Sequence, residues 1–201
     1  MSVILSFDIG STGCKTCLYD IEDQMTLIGA SQESYTFTHT SGDFAEQDPA
    51  LWFQAMTSTS RELAALYPEQ WTQVAGIAVC AQMQGVVLVD RKLNPLRPAM
   101  SYMDQRGGEQ KRKRVGQSPS VDGFNLFKLL YGLQINGAAA VSVKDPVWKY
   151  LWVQQHEPEI FEKVYKWLDV KEYAIAALTG SCVMTRDSAF TTFLTDERKQ
   201  K

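Results

Sequence analysis

The 201-residue sequence lacks the features that mark several common classes of protein. It has no excess of basic residues, since its formal net charge is −3, whereas nucleic-acid-binding domains are usually basic. It has no apolar run near the roughly 20 residues that a membrane span needs. It starts with a strand-like segment instead of a charged leader and a cleavage site, which argues against secretion. With 45% hydrophobic residues, the composition predicts a cytoplasmic globular domain that binds neither nucleic acid nor a membrane.

Cysteine and histidine are also scarce. The four cysteines fit a reducing cytosol, and Cys14-x-x-Cys17 is the only close pair. Residues three apart on a strand face opposite sides of a sheet, so these two thiols diverge. The only histidines are His39 and His156. The sequence therefore favours neither a disulfide nor a metal site made from these residues.

The most informative segment that is present runs from an apolar strand through an Asp into a turn of small residues. Asp8 ends the strand, the turn is Gly10-Ser11-Thr12, and a second strand-like run follows. Small residues let the main chain approach a ligand closely, so the N–H groups of this turn can point at phosphate oxygens. The carboxylate of Asp8 can then lie beside a metal bound with the phosphate. This pattern predicts a phosphate-holding turn at the tip of a β-hairpin.

The turn is not a P-loop. That motif needs Gly directly before Lys and a helix after it, whereas Cys14 precedes Lys15 and the following residues are β-prone. Lys15 can reach a phosphate as a point charge, and a plain surface role on the strand edge is an equal alternative. The residues thus indicate a nucleotide site of another type.

The rest of the chain reads as strands followed by helices, which predicts an α/β domain with a mixed sheet. Thr26–Phe37 reads as a third strand, residues 38–47 as a polar loop, and Val74–Cys80 as a buried parallel strand. Asp48-Pro49 is typical of a helix start, with a helix continuing to about Tyr67. Further helices are predicted for the second half of the chain, with residues 117–123 as a loop between strand and helix regions. These helices are expected at Phe124–Leu133, Val147–Gln155, Glu157–Val164 and Lys171–Leu178.

Several segments in this order and spacing resemble one enzyme family. They are Asp8-Ile9-Gly10-Ser11-Thr12 with Lys15, Glu46-Gln47-Asp48-Pro49 with Trp52, Gln82-Met83-Gln84-Gly85, Pro98-Ala99-Met100 with Asp104 and Arg106, Lys149-Tyr150-Leu151-Trp152 with His156-Glu157-Pro158-Glu159, and Leu178-Thr179-Gly180 with Asp187-Ser188-Ala189. Over nearly the whole chain they resemble the N-terminal half of the FGGY family of carbohydrate kinases, and the xylulose kinases within it most. One departure is Gln84, which stands where those kinases usually carry His.

This resemblance implies a ribonuclease-H-like fold of the actin and hexokinase type, with ATP and sugar in a cleft between two domains. Residues 1–201 would form the N-terminal domain, and the second domain, with the catalytic base and the adenine site, would lie outside this chain. The implied activity is ATP-dependent phosphorylation of a ketose or polyol, D-xylulose foremost, with Mg²⁺ as the metal. A homodimer is a candidate assembly.

The resemblance also implies roles for particular residues. Asp8 would act in catalysis and on Mg²⁺ through water, because Mg²⁺ keeps several waters and takes few carboxylates. The ATP phosphates would be held by a group of turn and strand residues: Gly10, Ser11, Thr12 and Lys15. The sugar would be bound by three residues: Met83, Gln84 and Asp104.

Each assignment has a structural alternative. Asp8, Ser11 and Thr12 also suit ordinary turn chemistry, and Asp104 is equally suited to an ion pair with Arg106. Gln47 and Asp48 are better explained as a helix cap than as sugar ligands. Three tryptophans are expected to pack in the core: Trp52, Trp148 and Trp152.

Other functions also remain open. A kinase acting on ribulose, glycerol or gluconate is one alternative, and a non-catalytic, sugar-responsive actin-like domain is another. An oxidoreductase is disfavoured because no Gly-x-Gly-x-x-Gly precedes a helix.

Overall fold

The computed structural model describes residues 2–22, 24–196 and 198, with the backbone alone for residues 39–41. Both ends of the predicted domain, residue 1 and residues 199–201, lie outside the described residues. The strands are β1 Val3–Ile9, β2 Gly13–Asp20, β3 Thr26–Ser34, β4 His39–Ser41, β5 Phe44–Gln47, β6 Val74–Ala81, β7 Val87–Val89, β8 Ala99–Met100, β9 Ser120–Val121, β10 Phe124–Asn125 and β11 Lys166–Leu168. The helices are α1 Pro49–Leu66, α2 Pro68–Trp71, α3 Gly108–Val115, α4 Leu126–Asn136, α5 Pro146–His156, α6 Pro158–Phe161, α7 Val170–Thr179 and α8 Arg186–Thr191. No described helix has the length and hydropathy to cross a membrane.

The main sheet has four strands in the order β3-β2-β1-β6. The first three strands are antiparallel neighbours, and β6 runs parallel to β1. In β1 the side chains of Val3, Leu5, Phe7 and Ile9 are buried on one face, while the alternate residues point to the other face. The hairpin and the mixed sheet predicted from the sequence are confirmed.

Helix α1 covers the buried face of this sheet. Asp48 caps it by accepting from the N–H of Ala50 at 2.9 Å, and Pro49 occupies the first turn. Its buried side has the spacing of a helical stripe, with Trp52, Ala55, Met56, Thr59 and Leu63. The hydroxyl of Thr59 bonds that of Thr16 in β2 at 2.6 Å, so a buried polar pair fixes the helix on the sheet.

Strand β6 differs from its prediction as a buried parallel strand. It is the edge of the four-stranded sheet, and it alternates between half-buried and exposed residues, with Ile77 54% exposed. A continuous apolar run predicts cover on both faces. Among the described residues α7 is the element packed on β6, so much of the strand surface stays open.

The predicted polar loop over residues 38–47 is wrong in part, because it contains β4 and β5. These strands pair with each other and, through β5, with β8. The side-chain pattern of so short a strand is too brief to separate it from a loop, and its pairing partner comes some 50 residues later in the chain. The loop predicted at 117–123 likewise contains β9, which pairs with β10.

The four helices predicted for the second half are confirmed as α4, α5, α6 and α7, with α6 shorter than expected. Gly180 follows α7 in the left-handed conformation at φ 74°, where glycine carries no steric cost. Short elements were missed, namely α2, β11 and α8. Trp52 and Trp148 are buried, as the packing prediction requires, whereas Trp152 is half-buried and lies 5.8 Å from Phe44, ring centre to ring centre.

Candidate active site

The turn between β1 and β2 is held by hydrogen bonds that its carbonyl groups accept from residues outside the turn. The hydroxyl of Tyr35 donates to the carbonyl oxygen of Gly10 at 2.6 Å, and its N–H donates to that of Thr12 at 3.1 Å. The side-chain amide of Gln47 donates to the carbonyl oxygen of Ser11 at 2.7 Å. All three carbonyls of the turn are therefore engaged by the protein.

The N–H of Gly10 closes the turn by donating to the carbonyl oxygen of Gly13 at 2.9 Å, and the donors of Ser11 and Thr12 are free among the described residues. Among the described residues, no group accepts a hydrogen bond from the main-chain N–H or the hydroxyl of Ser11 or Thr12. Close packing requires the next residue to be glycine, because a Cβ on Gly13 would lie 2.7 Å from the carbonyl oxygen of Glu33. N–H groups without partners in a turn are suited to binding an anion, and the phosphate-holding role of this turn stays a prediction.

Asp8 and Lys15 lie next to this turn on the open face of the sheet. They are paired across β1 and β2, and Cys80 of β6 is the neighbour of Asp8 on its other side. Opposite residues in antiparallel strands have Cβ atoms roughly 5 Å apart. Both side chains are exposed, and neither forms a hydrogen bond or ion pair within the described part of the chain. A carboxylate and an ammonium group thus stand beside the free donors of the turn.

A second loop, formed by Gln82–Gly85, follows β6 and lies beside the turn. Because β1 and β6 are parallel, their carboxyl ends meet at one edge of the sheet. The N–H of Gln82 donates to the carbonyl oxygen of Ile9 at 2.8 Å, and its side-chain amide donates to Gln47 at 2.6 Å. Gln47, only 1% exposed, therefore links the loop to the carbonyl of Ser11.

Within this loop Gln84 has a left-handed backbone, with φ 62°. Such a conformation is uncommon for a residue other than glycine, asparagine or aspartate. Its side-chain amide has no hydrogen-bond partner among the described residues, and it is half-buried. Met83 beside it is 50% exposed. The loop therefore presents one free amide and one thioether at the same edge as the turn.

Two buried charged residues hold the main chain of Gln84. The carboxylate of Asp169 accepts from the N–H groups of Gln84 and Gly85, both at 2.8 Å. The ammonium group of Lys149 donates to the carbonyl oxygen of Gln84 at 3.0 Å and to that of Ser101 at 2.6 Å. Burial lowers the pKa of Lys149 to about 8, against the opposing effect of nearby carboxylates led by Asp104.

Asp104 itself does not face open space. It is 0% exposed, and its oxygens accept from the N–H of Ala45 and from the guanidinium of Arg106. Arg106 also bonds Glu46 at 2.6 Å and lies over the ring of Phe44, with its central carbon 4.0 Å from the ring centre. The structure favours the ion pair that the sequence allowed, and the sugar contact of Asp104 stays a prediction.

Three residues important to this geometry were not identified as such in the sequence. Gln47 was interpreted as part of a helix cap, but only Asp48 caps α1. Lys149 carries only a motif resemblance, and Asp169 belongs to none of the motifs. An Asp directly before a helix start was the one available hint, because such a residue often accepts from N–H groups.

The residues at the turn suit a nucleotide phosphate with Mg²⁺. Unpartnered N–H donors and an exposed Lys15 offer what phosphate oxygens accept, and Asp8 offers one exposed carboxylate. No cluster of three or more His, Cys, Asp or Glu side chains fit to hold a metal occurs among the described residues. A metal here would depend on water and phosphate oxygens for most of its ligands.

Comparisons with known proteins agree on one family. Residues 3–201 match the sequence model for the N-terminal domain of the FGGY family of carbohydrate kinases. A xylulose kinase of Escherichia coli (strain K12) is 31% identical over 200 residues, which cover 98% of this chain and 37% of that enzyme. The chain thus spans little more than a third of this relative.

Solved structures agree on the fold. A xylulose kinase from Brucella ovis superposes with a TM-score of 0.84 and 25% identity, over 99% of this chain and 39% of that one. A Plasmodium falciparum glycerol kinase with ADP gives a TM-score of 0.84 at 21% identity, over 100% of this chain and 39% of that one. The predicted fold class, an α/β domain of the ribonuclease-H-like, actin and hexokinase type, is confirmed.

Proposed function

Because the chain belongs to the FGGY family of carbohydrate kinases, we propose that it is the sugar-side domain of an ATP-dependent kinase that phosphorylates a hydroxyl of a ketose, D-xylulose foremost. In this proposal residues 1–201 form the N-terminal domain of a longer two-domain enzyme. The catalytic base and the adenine site belong to the part of the enzyme outside this chain.

One observation carries the proposal: two loops with free polar groups lie side by side at the carboxyl ends of β1 and β6. The turn offers the N–H groups of Ser11 and Thr12, and the Gln82–Gly85 loop offers the amide of Gln84. Phosphoryl transfer needs a phosphate donor and an acceptor hydroxyl held next to each other and in line. The bond from Gln82 to Gln47, and from Gln47 to Ser11, joins the two loops at 2.6 and 2.7 Å.

The turn is the proposed site for the ATP phosphates. Ser11 and Thr12 would donate main-chain and hydroxyl hydrogen bonds, Gly10 would allow the close approach, and Lys15 would add a positive charge. Asp8 would hold Mg²⁺ through water. Bound ATP would supply the phosphoryl group, and Mg²⁺ would neutralise its negative charge.

The Gln82–Gly85 loop is the proposed site for the sugar. The amide of Gln84 is both a donor and an acceptor, which suits a polyol with several hydroxyls. The half-exposed thioether of Met83 would pack against the carbon side of the sugar. D-xylulose is favoured because the 31% identical relative is a xylulose kinase. If the enzyme prefers another sugar, Gln84 is the residue to which we would assign that preference.

The test is a phosphorylation assay on the full-length enzyme and on this chain alone, with ATP, Mg²⁺ and four candidate acceptors: D-xylulose, D-ribulose, glycerol and gluconate. We expect the full-length enzyme to phosphorylate D-xylulose with the highest kcat/KM, and the chain alone to show no sugar-dependent ATP turnover. A higher kcat/KM for another acceptor would overturn the choice of sugar. Turnover by the chain alone would overturn the division between domains, and no turnover by the full-length enzyme would overturn the kinase proposal.

A further inference from the structure

The loop that carries Gln84 is held by the side chain of a residue far away in the sequence. Asp169 is separated from Gln84 by 85 positions and is only 5% exposed. One carboxylate oxygen accepts from Gln84 N–H at 2.8 Å, and the other accepts from Gly85 N–H at 2.8 Å and from Val170 N–H at 2.7 Å. Both oxygens are therefore used, and two of the three bonds hold the loop.

Lys149 holds the same residue from its carbonyl side. Its ammonium group, 0% exposed, bonds the carbonyl oxygens of Gln84 and Ser101. The N–H and the carbonyl of Gln84 are thus both fixed by buried charges on α5 and at the start of α7. A left-handed glutamine costs free energy that the surroundings must offset, and these bonds are the ones available to do so.

Gly85 completes this arrangement by its lack of a side chain. A Cβ at this position would lie 2.8 Å from a methyl carbon of Val170 and 2.9 Å from an oxygen of Asp169. Only glycine lets the loop approach the carboxylate so closely. The loop conformation therefore depends on α7 at two successive residues.

We propose that Asp169 and Lys149 are positioning residues, which hold Gln84 in the left-handed conformation that aims its free amide at the sugar. The identification of the ligand as a sugar rests on the proposed function, whereas the hydrogen bonds that hold the loop do not depend on that function. Neither residue touches the substrate in this proposal. Their effect on the reaction passes through Gln84.

The charge state of Asp169 gives a direct readout of this contact. Burial raises its pKa to about 6, although the N–H groups of Val170, Gly85 and Gln84 act to lower it. The charged groups that face it are Glu172, which raises the pKa further, and Lys149 and Lys171, whose own pKa values respond to Asp169. An amide proton that is bonded to a carboxylate shifts its resonance when that carboxylate takes up a proton.

The first experiment is an NMR pH titration of this chain between pH 4.5 and 8, following the amide protons of Gln84 and Gly85. We expect both to shift together with a midpoint near pH 6, and the shift to vanish in Asp169→Asn. Asparagine is a good helix cap, so α7 keeps its first hydrogen bond and the fold is preserved. Asp187→Asn is the matched control, because Asp187 bonds Lys171 at 3.0 Å but does not touch the loop.

The second experiment measures KM for the sugar and for ATP in the full-length enzyme. We expect Asp169→Asn to raise the sugar KM about tenfold or more while the ATP KM changes less than twofold, since two charge-assisted bonds to the loop are lost. Asp187→Asn should change neither. Gln84 and Gly85 amides that do not titrate with Asp169 would overturn the inference whatever the activity. If the amides titrate but Asp169→Asn changes the sugar KM and the ATP KM equally, the sugar-positioning role is overturned. An enzyme that is inactive on every sugar contradicts the proposed function, and the NMR titration then decides the loop contact alone.

Discussion

At the scale of the residue, Asp8 shows how exposure and function can go together. It is the penultimate residue of β1, with its carboxylate exposed and unpaired among the described residues, next to a turn in which the N–H groups of Ser11 and Thr12 are also free. An exposed carboxylate at a strand end contributes little to the core. Its proposed contribution is therefore to Mg²⁺ binding and not to the stability of the fold.

We expect Asp8→Asn in the full-length enzyme to lower kcat by about 10² or more, because one preorganised electrostatic element is lost from the reaction. The midpoint of denaturant unfolding should stay unchanged, since the substitution keeps the size of an exposed side chain. Steady-state kinetics at saturating Mg²⁺ and a urea titration check both statements. Asp20→Asn is the control, because Asp20 lies at the opposite end of the same hairpin, opposite Val3. A normal kcat for Asp8→Asn would show that Asp8 is only a turn residue.

Gln84 gives the prediction for substrate choice. Loss of one neutral hydrogen bond costs about 0.5–1.5 kcal/mol, so Gln84→Ala should raise the KM for the true sugar roughly three- to tenfold. The KM for ATP should change little. Gln84→His should change the ranking among ketoses and polyols more than the ATP constants, because histidine can carry a charge near neutral pH and glutamine cannot.

A panel of sugars measured with wild type, Gln84→Ala and Gln84→His makes this test. Gln134→Ala, an exposed glutamine on α4, is the matched control. If the ranking and every sugar KM stay as in wild type, Gln84 is a structural residue of the loop.

At the scale of the element, the hairpin turn and the Gln82–Gly85 loop are connected through the end of β5. Gln47 donates to Ser11 and accepts from Gln82, and it is fully enclosed. The next residue, Asp48, has a different task, since it caps α1 at the surface. Of these two neighbouring residues, one connects the loops and the other stabilises the start of a helix.

This separation can be measured. Gln47→Ala should lower the free energy of unfolding by about 1–3 kcal/mol, because buried polar groups lose their partners, and should raise KM for both ATP and sugar. Asp48→Ala should cost about 0.5–2 kcal/mol as a lost cap but leave both KM values unchanged. Denaturant unfolding and steady-state kinetics on the two variants decide the matter. Equal KM changes in both variants would mean that loss of stability alone explains them.

The sequence predicted the elements whose signals are local. The hairpin turn at Gly10-Ser11-Thr12, the cap at Asp48 and the glycine after α7 each depend on a few neighbouring residues, and all three lie where the sequence predicts them. The tasks of Gln47 and Asp169 depend on partners 36 and 85 positions away. No local pattern shows whether such a residue caps a helix or bonds a distant loop, or whether Asp104 forms an ion pair or binds a sugar. These distinctions therefore needed the structure.

At the scale of the whole molecule, the buried charges around α5 and α7 make the stability of the fold depend on pH. The pKa of Asp169 is about 6 in the fold, above its ordinary value of 3.8. The folded chain therefore binds a proton more tightly than the unfolded chain between these values. The contribution of protonated Asp169 to the free energy of unfolding is fully present below about pH 4 and is lost as the pH rises through 6.

We expect the unfolding free energy of wild type to fall by about 2–3 kcal/mol relative to Asp169→Asn between pH 4 and pH 6.5. Chemical unfolding of both proteins at several pH values tests this, with Asp187→Asn as control. The pKa of Asp187 is low, about 2, because Thr185 and Lys171 stabilise its charged form, and so it does not titrate in this window. A constant difference between wild type and Asp169→Asn across the window would contradict the raised pKa.

The open edge of the sheet is also a property of the molecule as a whole. Strand β6 lies at the sheet edge with Ile77 54% exposed, and the chain spans about 37% of the xylulose kinase that it resembles. If the remaining part of a longer enzyme covers this surface, the exposed apolar area has a simple explanation. Amide hydrogen exchange of β6, compared between this chain and the full-length enzyme, reports directly on that cover.

The way in which the hairpin turn is held has a thermodynamic consequence. Tyr35 and Gln47 fix its three carbonyls before any ligand arrives, while the N–H groups of Ser11 and Thr12 stay free among the described residues. An anion that binds there need not order the backbone, so the usual loss of chain entropy on binding is already part of folding. In calorimetry, nucleotide binding to the wild-type turn should carry a small entropic penalty. Tyr35→Phe, which removes only the bond to Gly10, should leave the enthalpy of binding nearly unchanged and make the entropy less favourable.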